Sequence, residues 1–175
     1  MLEEIAGACG GDLRRARARI QRQADEIGTG FRIPGESEER AWPLSPLPLM
    51  IDEHEWAKIA DGVVQRAELM ELLLEDIYGA QRLTGNGLLP AALLNGSPHF
   101  LRPMVGLPPP GGHQLHFYAV DIGRGPSGEW RVLADHTRTP TGAGYALENR
   151  LAVARVFDTL QSRLNILRLA PFFAD

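Results

Sequence analysis

Apolar residues recur every three to four positions over residues 12–27. Leu13, Ala16, Ile20, Ala24 and Ile27 form one stripe, and Arg14, Arg15, Arg17, Arg19 and Arg22 fill the positions between. That period predicts an amphipathic helix, with Gly28 and Gly30 after it as stop signals. The arginine run reads as a solvated face, with a phosphate- or RNA-binding arm as the alternative. Residues 31–50 lose the period. Pro34-Gly35, the acidic cluster of residues 36–39, and Pro43, Pro46 and Pro48 among leucines predict an extended strap anchored by those leucines. At Asp52 the helical period returns. Asp52 and Glu55 form a capping-box pattern, and Trp56, Ile59, Val63, Met70, Leu73, Leu74 and Ile77 line one side of a long helix ending near Tyr78-Gly79. His54, in its first turn, reads as exposed. A short helix at residues 90–95 follows, with Pro90 near its start and Gly96 as its stop.

The pattern then changes. Residues 97–113 are a loop rich in proline and glycine. Residues 114–124 and 129–136 carry aromatic and β-branched side chains on either side of Gly125-Pro126-Ser127-Gly128, which predicts an antiparallel hairpin. A four-residue loop would set Asp121 opposite Val132 and Ala119 opposite Ala134. Asp121, Ala134 and His136 would then share a face, with Leu133 and Asp135 on the other. A last helix is expected over residues 145–163, with Leu147, Leu151, Ala154, Val156, Phe157 and Leu160 on its apolar side. The expected class is α+β, helices packed on a small antiparallel hairpin. Because an isolated hairpin is marginal in water, it must pack on the helices or join a sheet that this chain does not supply. The expected division is an arm over residues 1–41 and a domain over residues 42–175.

Composition narrows the function. The chain has 175 residues, net charge −4 and 44% hydrophobic residues, which suits a soluble globular domain and gives no general reason to expect nucleic-acid binding. A single cysteine, Cys9, excludes an internal disulfide framework and suits the cytoplasm. Residues 1–4 lack the basic and apolar regions of a secretory signal, and no apolar run approaches the ~20 residues of a membrane span. The apolar end of the chain, with Phe172 and Phe173, admits two readings. Either those rings fold back on the core, or the chain stops inside a larger fold.

Asp121 is the leading candidate for chemistry. It interrupts an apolar strand, where a carboxylate needs a partner or a cation. The partner reading is an ion pair with Arg124, Arg131 or Arg138; the functional reading is a ligand for Mg²⁺. His113, His116 and His136 gather near the hairpin without the converging donors of a zinc site, and His116 reads as a packed strand residue. No nucleophile elbow, P-loop or dinucleotide fingerprint is present. Gly142-Ala143-Gly144 leads into a helix and reads as a flexible turn, with anion binding as the alternative.

Several ordered stretches carry a resemblance. They are residues 46–51 (PLPLMI), 74–82 (LEDIYGAQR), 109–112 (PPGG) and 139–150 (TPTGAGYALENR). Over residues 42–174 the chain resembles the circularly permuted ATP-grasp family, the uncharacterised bacterial branch related to glutathionylspermidine synthetase, in its N-terminal portion. The resemblance implies an incomplete N-terminal part of a permuted ATP-grasp fold. It implies activation of a carboxylate as an acyl phosphate with ATP and Mg²⁺, then attack by an amine. In such enzymes an Asp on one strand and a Glu-x-Asn on the next hold the metal, and a turn like Arg-Thr-Pro follows. Asp121 matches the first metal ligand. Ala134 stands where Glu is expected, and His136 where Asn is expected. Arg138, Thr139 and Pro140 fit the turn. The implied cofactor-binding residues are Asp121, His136, Arg138 and Thr139, with Arg138 also catalytic. The family's lysines and glycine-rich lid are expected beyond this stretch, since the chain holds a single lysine, Lys58.

Three functions follow as expectations. The first is an N-terminal fragment of a carboxylate–amine ligase, inactive alone and using Mg²⁺ and ATP in the full-length protein. The second is a non-catalytic nucleotide- or peptide-binding member with a degenerate metal site. The third is a structural domain that associates with itself through exposed apolar surface. The expected partner is the remainder of its own chain, without nucleic acid or membrane.

Overall fold

In the computed structural model, residues 7, 12–28, 30–45, 47–157 and 165–174 are described. They fall into two units, residues 1–50 with 141–175 and residues 51–140. The strap residues 42–50 therefore group with the arm, a partition that differs from a division after residue 41.

The first unit is built on two helices, α1 (Leu13–Ile27) and α5 (Ala143–Val156). Asp12 caps α1 by accepting the Arg15 amide at 3.0 Å, and Gly28 ends it in the left-handed conformation (φ 75°) that a side chain would disfavour. The period read from the sequence is the packed one. Ala16, Ile20 and Ala24 are buried, and Ile20 meets Val156 and Phe157 in a core to which Leu44 and Val153 add partial cover. A two-residue antiparallel ladder, β1 (Gly30–Phe31) with β2 (Arg40–Ala41), lies where the sequence suggested only a linker. Arg40 reaches back to both oxygens of Glu36 at 2.9 and 2.7 Å and draws the excursion between the strands together. Trp42 stacks on Tyr145 with ring centroids 4.3 Å apart and donates to Asn149 Oδ1 at 2.7 Å, while the Tyr145 hydroxyl donates to the Gly30 carbonyl at 2.8 Å. These contacts fix the strap to α5. Leu44 anchors as expected; Leu47 and Leu49 remain exposed. α5 starts two residues before the expected 145 and ends at Val156, where Phe157 leaves helical geometry (φ −126°, ψ 45°), short of the expected 163; residues 158–163 lie outside the described residues, as does Cys9. Phe172 and Phe173 are exposed and touch each other edge-to-face.

The second unit is built on α2 (Glu53–Tyr78) and the hairpin β3 (Ala119–Arg124) with β4 (Trp130–His136). Asp52 caps α2 by accepting the Glu55 amide at 2.8 Å. The reciprocal half of the capping box is replaced, because the Glu55 carboxylate instead receives Arg124 and the Trp130 indole N–H. After α2, Asp76 takes the amides of Arg82 and Leu83 at 2.9 and 3.0 Å, which starts the one-turn helix α3 (Arg82–Gly85) that the sequence did not signal. α4 (Ala91–Asn95) begins after Pro90 and ends at Gly96.

Two expectations for the hairpin need correction. β3 starts at Ala119, not at residue 114, because the amides of Gln114 and Leu115 donate to the Glu71 carboxylate of α2 at 2.8 and 2.7 Å and are unavailable for a ladder. His116 is accordingly exposed and outside any strand. The connection also runs over residues 125–129, one longer than expected, and Ile122 pairs with Val132. A bulge then intervenes, so that Asp121 faces Ala134 and Ala119 faces His136. The inserted residue restores parity. Asp121, Ala134 and His136 do share a face, through a different register.

Candidate functional site

The two faces of the hairpin carry different chemistry. On one, Asp121 sits on β3 directly across from Ala134, and His136 is two residues along β4. His136 Nε2 lies 3.0 Å from Asp121 Oδ2, so the tautomer protonated at Nε2 donates to the carboxylate. Of the two readings of Asp121, the ion pair with Arg124, Arg131 or Arg138 is not formed among the described residues; His136 is the partner instead. Both side chains are open to solvent, Asp121 at 63% exposure. The apolar letters around Asp121 belong mostly to the opposite face, which is why its burial was misjudged.

Arg138 follows β4 and is exposed. Its Nη1 donates to His99 Nδ1 at 2.5 Å, on the proline-rich stretch after α4. Guanidinium has only donors, so that histidine nitrogen is the unprotonated one. Among the described residues Arg138 forms no ion pair with Asp121. Thr139 beside it is exposed. The structure thus joins Asp121 and His136, and joins Arg138 to His99, a partner that nothing in the local sequence signals.

The other face holds the group that sequence reasoning missed. Arg66 of α2 grips Asp135 with two bonds, Nε to Oδ1 at 2.6 Å and Nη2 to Oδ2 at 2.8 Å. The Tyr118 hydroxyl donates to Asp135 Oδ1 at 2.5 Å. Arg66, and then Tyr118, hold the Asp135 carboxyl down at about 2. Burial first, and the bond to Asp135 second, push the Tyr118 phenol up to about 12. The guanidinium of Arg66 is held charged even more firmly than usual by Asp135. The signals available were Arg66 on the inner stripe of α2 and the alternation that turns Asp135 away from Asp121.

A second polar strut joins the same layers. Glu55 receives Arg124 and, at 2.8 Å, Trp130 Nε1, and the Arg124 guanidinium lies 4.9 Å from the Trp130 ring centre. Around these struts α2 and the hairpin enclose an open groove of about 990 Å³, with Ile59, Val63, Ile122 and Val132 on its walls.

Mg²⁺ asks for several hard oxygen donors. Asp121 supplies one carboxylate, Ala134 supplies none, and an imidazole occupies the second polar position. Among the described residues no three His, Cys, Asp or Glu side chains converge into a possible metal cluster. The residues present do not by themselves fit that cation. Among the same residues, no helix is long and apolar enough to cross a membrane.

With this geometry in view, comparison with known proteins is informative. The family described as circularly permuted ATP-grasp type 2 matches residues 48–175. An uncharacterized protein of Mycobacterium leprae is 36% identical over 157 residues, covering 90% of this chain and 28% of that protein. One of Mycobacterium tuberculosis H37Rv is 37% identical over 146 residues, covering 81% and 26%. One of Synechocystis is 35% identical over 133 residues, covering 75% and 28%. The chain spans about a quarter of the length of these curated relatives.

Proposed function

Because the chain belongs to the circularly permuted ATP-grasp type 2 family, we propose that it forms the N-terminal part of an ATP-dependent carboxylate–amine ligase and is inactive alone. The observation that carries this reading is the family match across residues 48–175, which contains the Asp121–His136 pair and the Arg138-Thr139 turn. In the complete protein, Arg138 would offer its guanidinium to nucleotide phosphates, a geometry to which a forked donor is suited. Thr139 adds a hydroxyl beside it. Asp121 would contribute one carboxylate to a Mg²⁺ site whose other donors come from elsewhere in that protein. Phe117 and Leu133, both largely exposed, are surfaces that the remaining sequence would cover, with a second copy of the chain as the competing occupant.

Calorimetry with Mg²⁺–ATP on the full-length protein tests the reading. Arg138→Ala is expected to weaken nucleotide binding about tenfold or more, the loss of one charge-assisted contact of ~1.4 kcal/mol. Unchanged affinity would remove Arg138 from the site. Release of ADP that depends on both an acid and an amine would establish ligation.

Ala134 favours a second reading, a non-catalytic member that binds nucleotide without turnover. Its position directly opposite Asp121 makes this testable in the chain itself. Ala134→Glu sets two carboxylates across one pair, so Tm without divalent metal is expected to fall by about 2–5 °C. Millimolar Mg²⁺ is expected to raise the Tm of this variant and not that of the unsubstituted chain, since a metal bound only to the folded state stabilises it. If Tm ignores Mg²⁺ in this variant and in Ala134→Glu with His136→Asn, the pair does not mark a former metal site.

A further inference from the structure

Helix α1 carries its charges the wrong way round for its own stability. Arg14, Arg15 and Arg17 crowd the first turns, where the helix dipole is positive, and Asp25 and Glu26 sit at the negative end. Apart from the capping Asp12, its first turn holds no acid, and its last turn holds no base. Local helix energetics do not account for such an order.

The packing supplies another reason. Arg19 and Arg22 of α1 line a cleft of about 200 Å³ together with Arg155 of α5. Gln23 orients Arg155 by accepting its Nη1 at 2.8 Å, and the carboxylate of Glu26, which also lines the cleft, accepts the Gln23 amide at 2.7 Å. Among the described residues, none of the three arginines forms an ion pair with a carboxylate. Three exposed arginines from two helices thus line one open cleft with room for a phosphate group. Among the described residues no aromatic side chain lines the cleft, so these residues offer no platform for stacking a base.

We propose that this cleft is a binding site for a phosphate group, held by Arg19, Arg22 and Arg155. Planar forked donors suit a tetrahedral oxyanion, and its double charge balances three guanidiniums set against the one carboxylate of Glu26. The phosphate can be free or the terminal group of a phosphorylated small molecule. The cleft shares no lining residue with the Asp121 and Arg138 group, and the proposal does not depend on the ligase reading.

Calorimetry on the whole chain at low ionic strength, with inorganic phosphate, pyrophosphate and a sugar phosphate, distinguishes those sources. Saturable binding of one ion below about 1 mM is expected for at least one of them. Arg19→Gln with Arg22→Gln is expected to weaken it tenfold or more, and Arg155→Gln alone several-fold. The charge-matched pair Arg14→Gln with Arg17→Gln, away from the cleft, is expected to stay within twofold. Circular dichroism confirms that each variant remains helical, and Arg155→Gln serves as the test if the α1 pair does not fold. Absence of saturable binding overturns the proposal. Equal losses in both double variants also overturn it, since they describe a diffuse field. Tighter binding of single-stranded RNA than of polyphosphate of equal charge overturns it in favour of nucleic acid.

Discussion

Phe157→Ala is expected to cost about 3–5 kcal/mol, the usual range for emptying a fully buried aromatic site. Phe157 is 1% exposed and packs with Ala16, Ile20 and Val156 where α1 meets α5. Among the described residues few other side chains in that unit are buried, so these offer little apolar material with which to fill the space. The loss rivals a typical domain's entire stability. Urea denaturation followed by circular dichroism is expected to show α1 losing helicity at far lower denaturant in the variant. A change under 1 kcal/mol would mean that α1 is not docked through Ile20 and Phe157.

Asp135→Asn is expected to have the next largest effect, and it carries a pH signature. The Asp135 carboxyl is held at about 2 against an ordinary 3.8, by Arg66 first and Tyr118 second. A lowered folded-state value means stability that is complete above pH 3.8 and disappears as pH falls through about 2. The wild type should therefore lose stability progressively between about pH 4 and 2, and Asp135→Asn should lose much less over that interval while starting several degrees lower in Tm at pH 7. At the alkaline end the sign reverses. The Tyr118 phenol is raised from 10.0 to about 12, by burial before its bond to Asp135. Its contribution is complete below pH 10 and is lost as pH rises through about 12. Ultraviolet titration of wild type should show one of the three tyrosines ionising late. Asp135→Asn should bring that midpoint down in part only, since burial remains. A full return to 10, or no movement, would show that the Arg66–Asp135–Tyr118 contacts are not those described here.

Much of this was legible along the chain. The stripe of α1 and its arginine face, the Asp52 cap, the stops at Gly28 and Gly96 and the hairpin itself are local events, set by neighbouring residues and by the periods of helix and strand. The shared face of Asp121, Ala134 and His136 was also legible, although only a five-residue connection together with a bulge produces it. The start of β3 was not legible. Glu71 claims the amides of Gln114 and Leu115 from 43 and 44 residues away, and no window of sequence contains that competition. The same holds for β1 and β2, which need the Trp42–Tyr145 stack to hold the strap in place. Asp121 shows the converse error. An apolar neighbourhood in sequence implied burial, yet alternation sends those neighbours to the far face and leaves the carboxylate in solvent.

The sequence by itself determined the caps at Asp12 and Asp52 and the stops at Gly28 and Gly96, which residues could carry charge to a ligand, and the family likeness on which the ligase proposal rests. Only the tertiary structure decided which charges meet. Arg66 with Asp135, Glu55 with Arg124 and Trp130, and Arg138 with His99 are partners set by the approach of separate elements, a matter of chain path rather than local preference. Capping and periodicity act within one or two turns, whereas an ion pair depends on distance in space, and the sequence carries no direct measure of that distance.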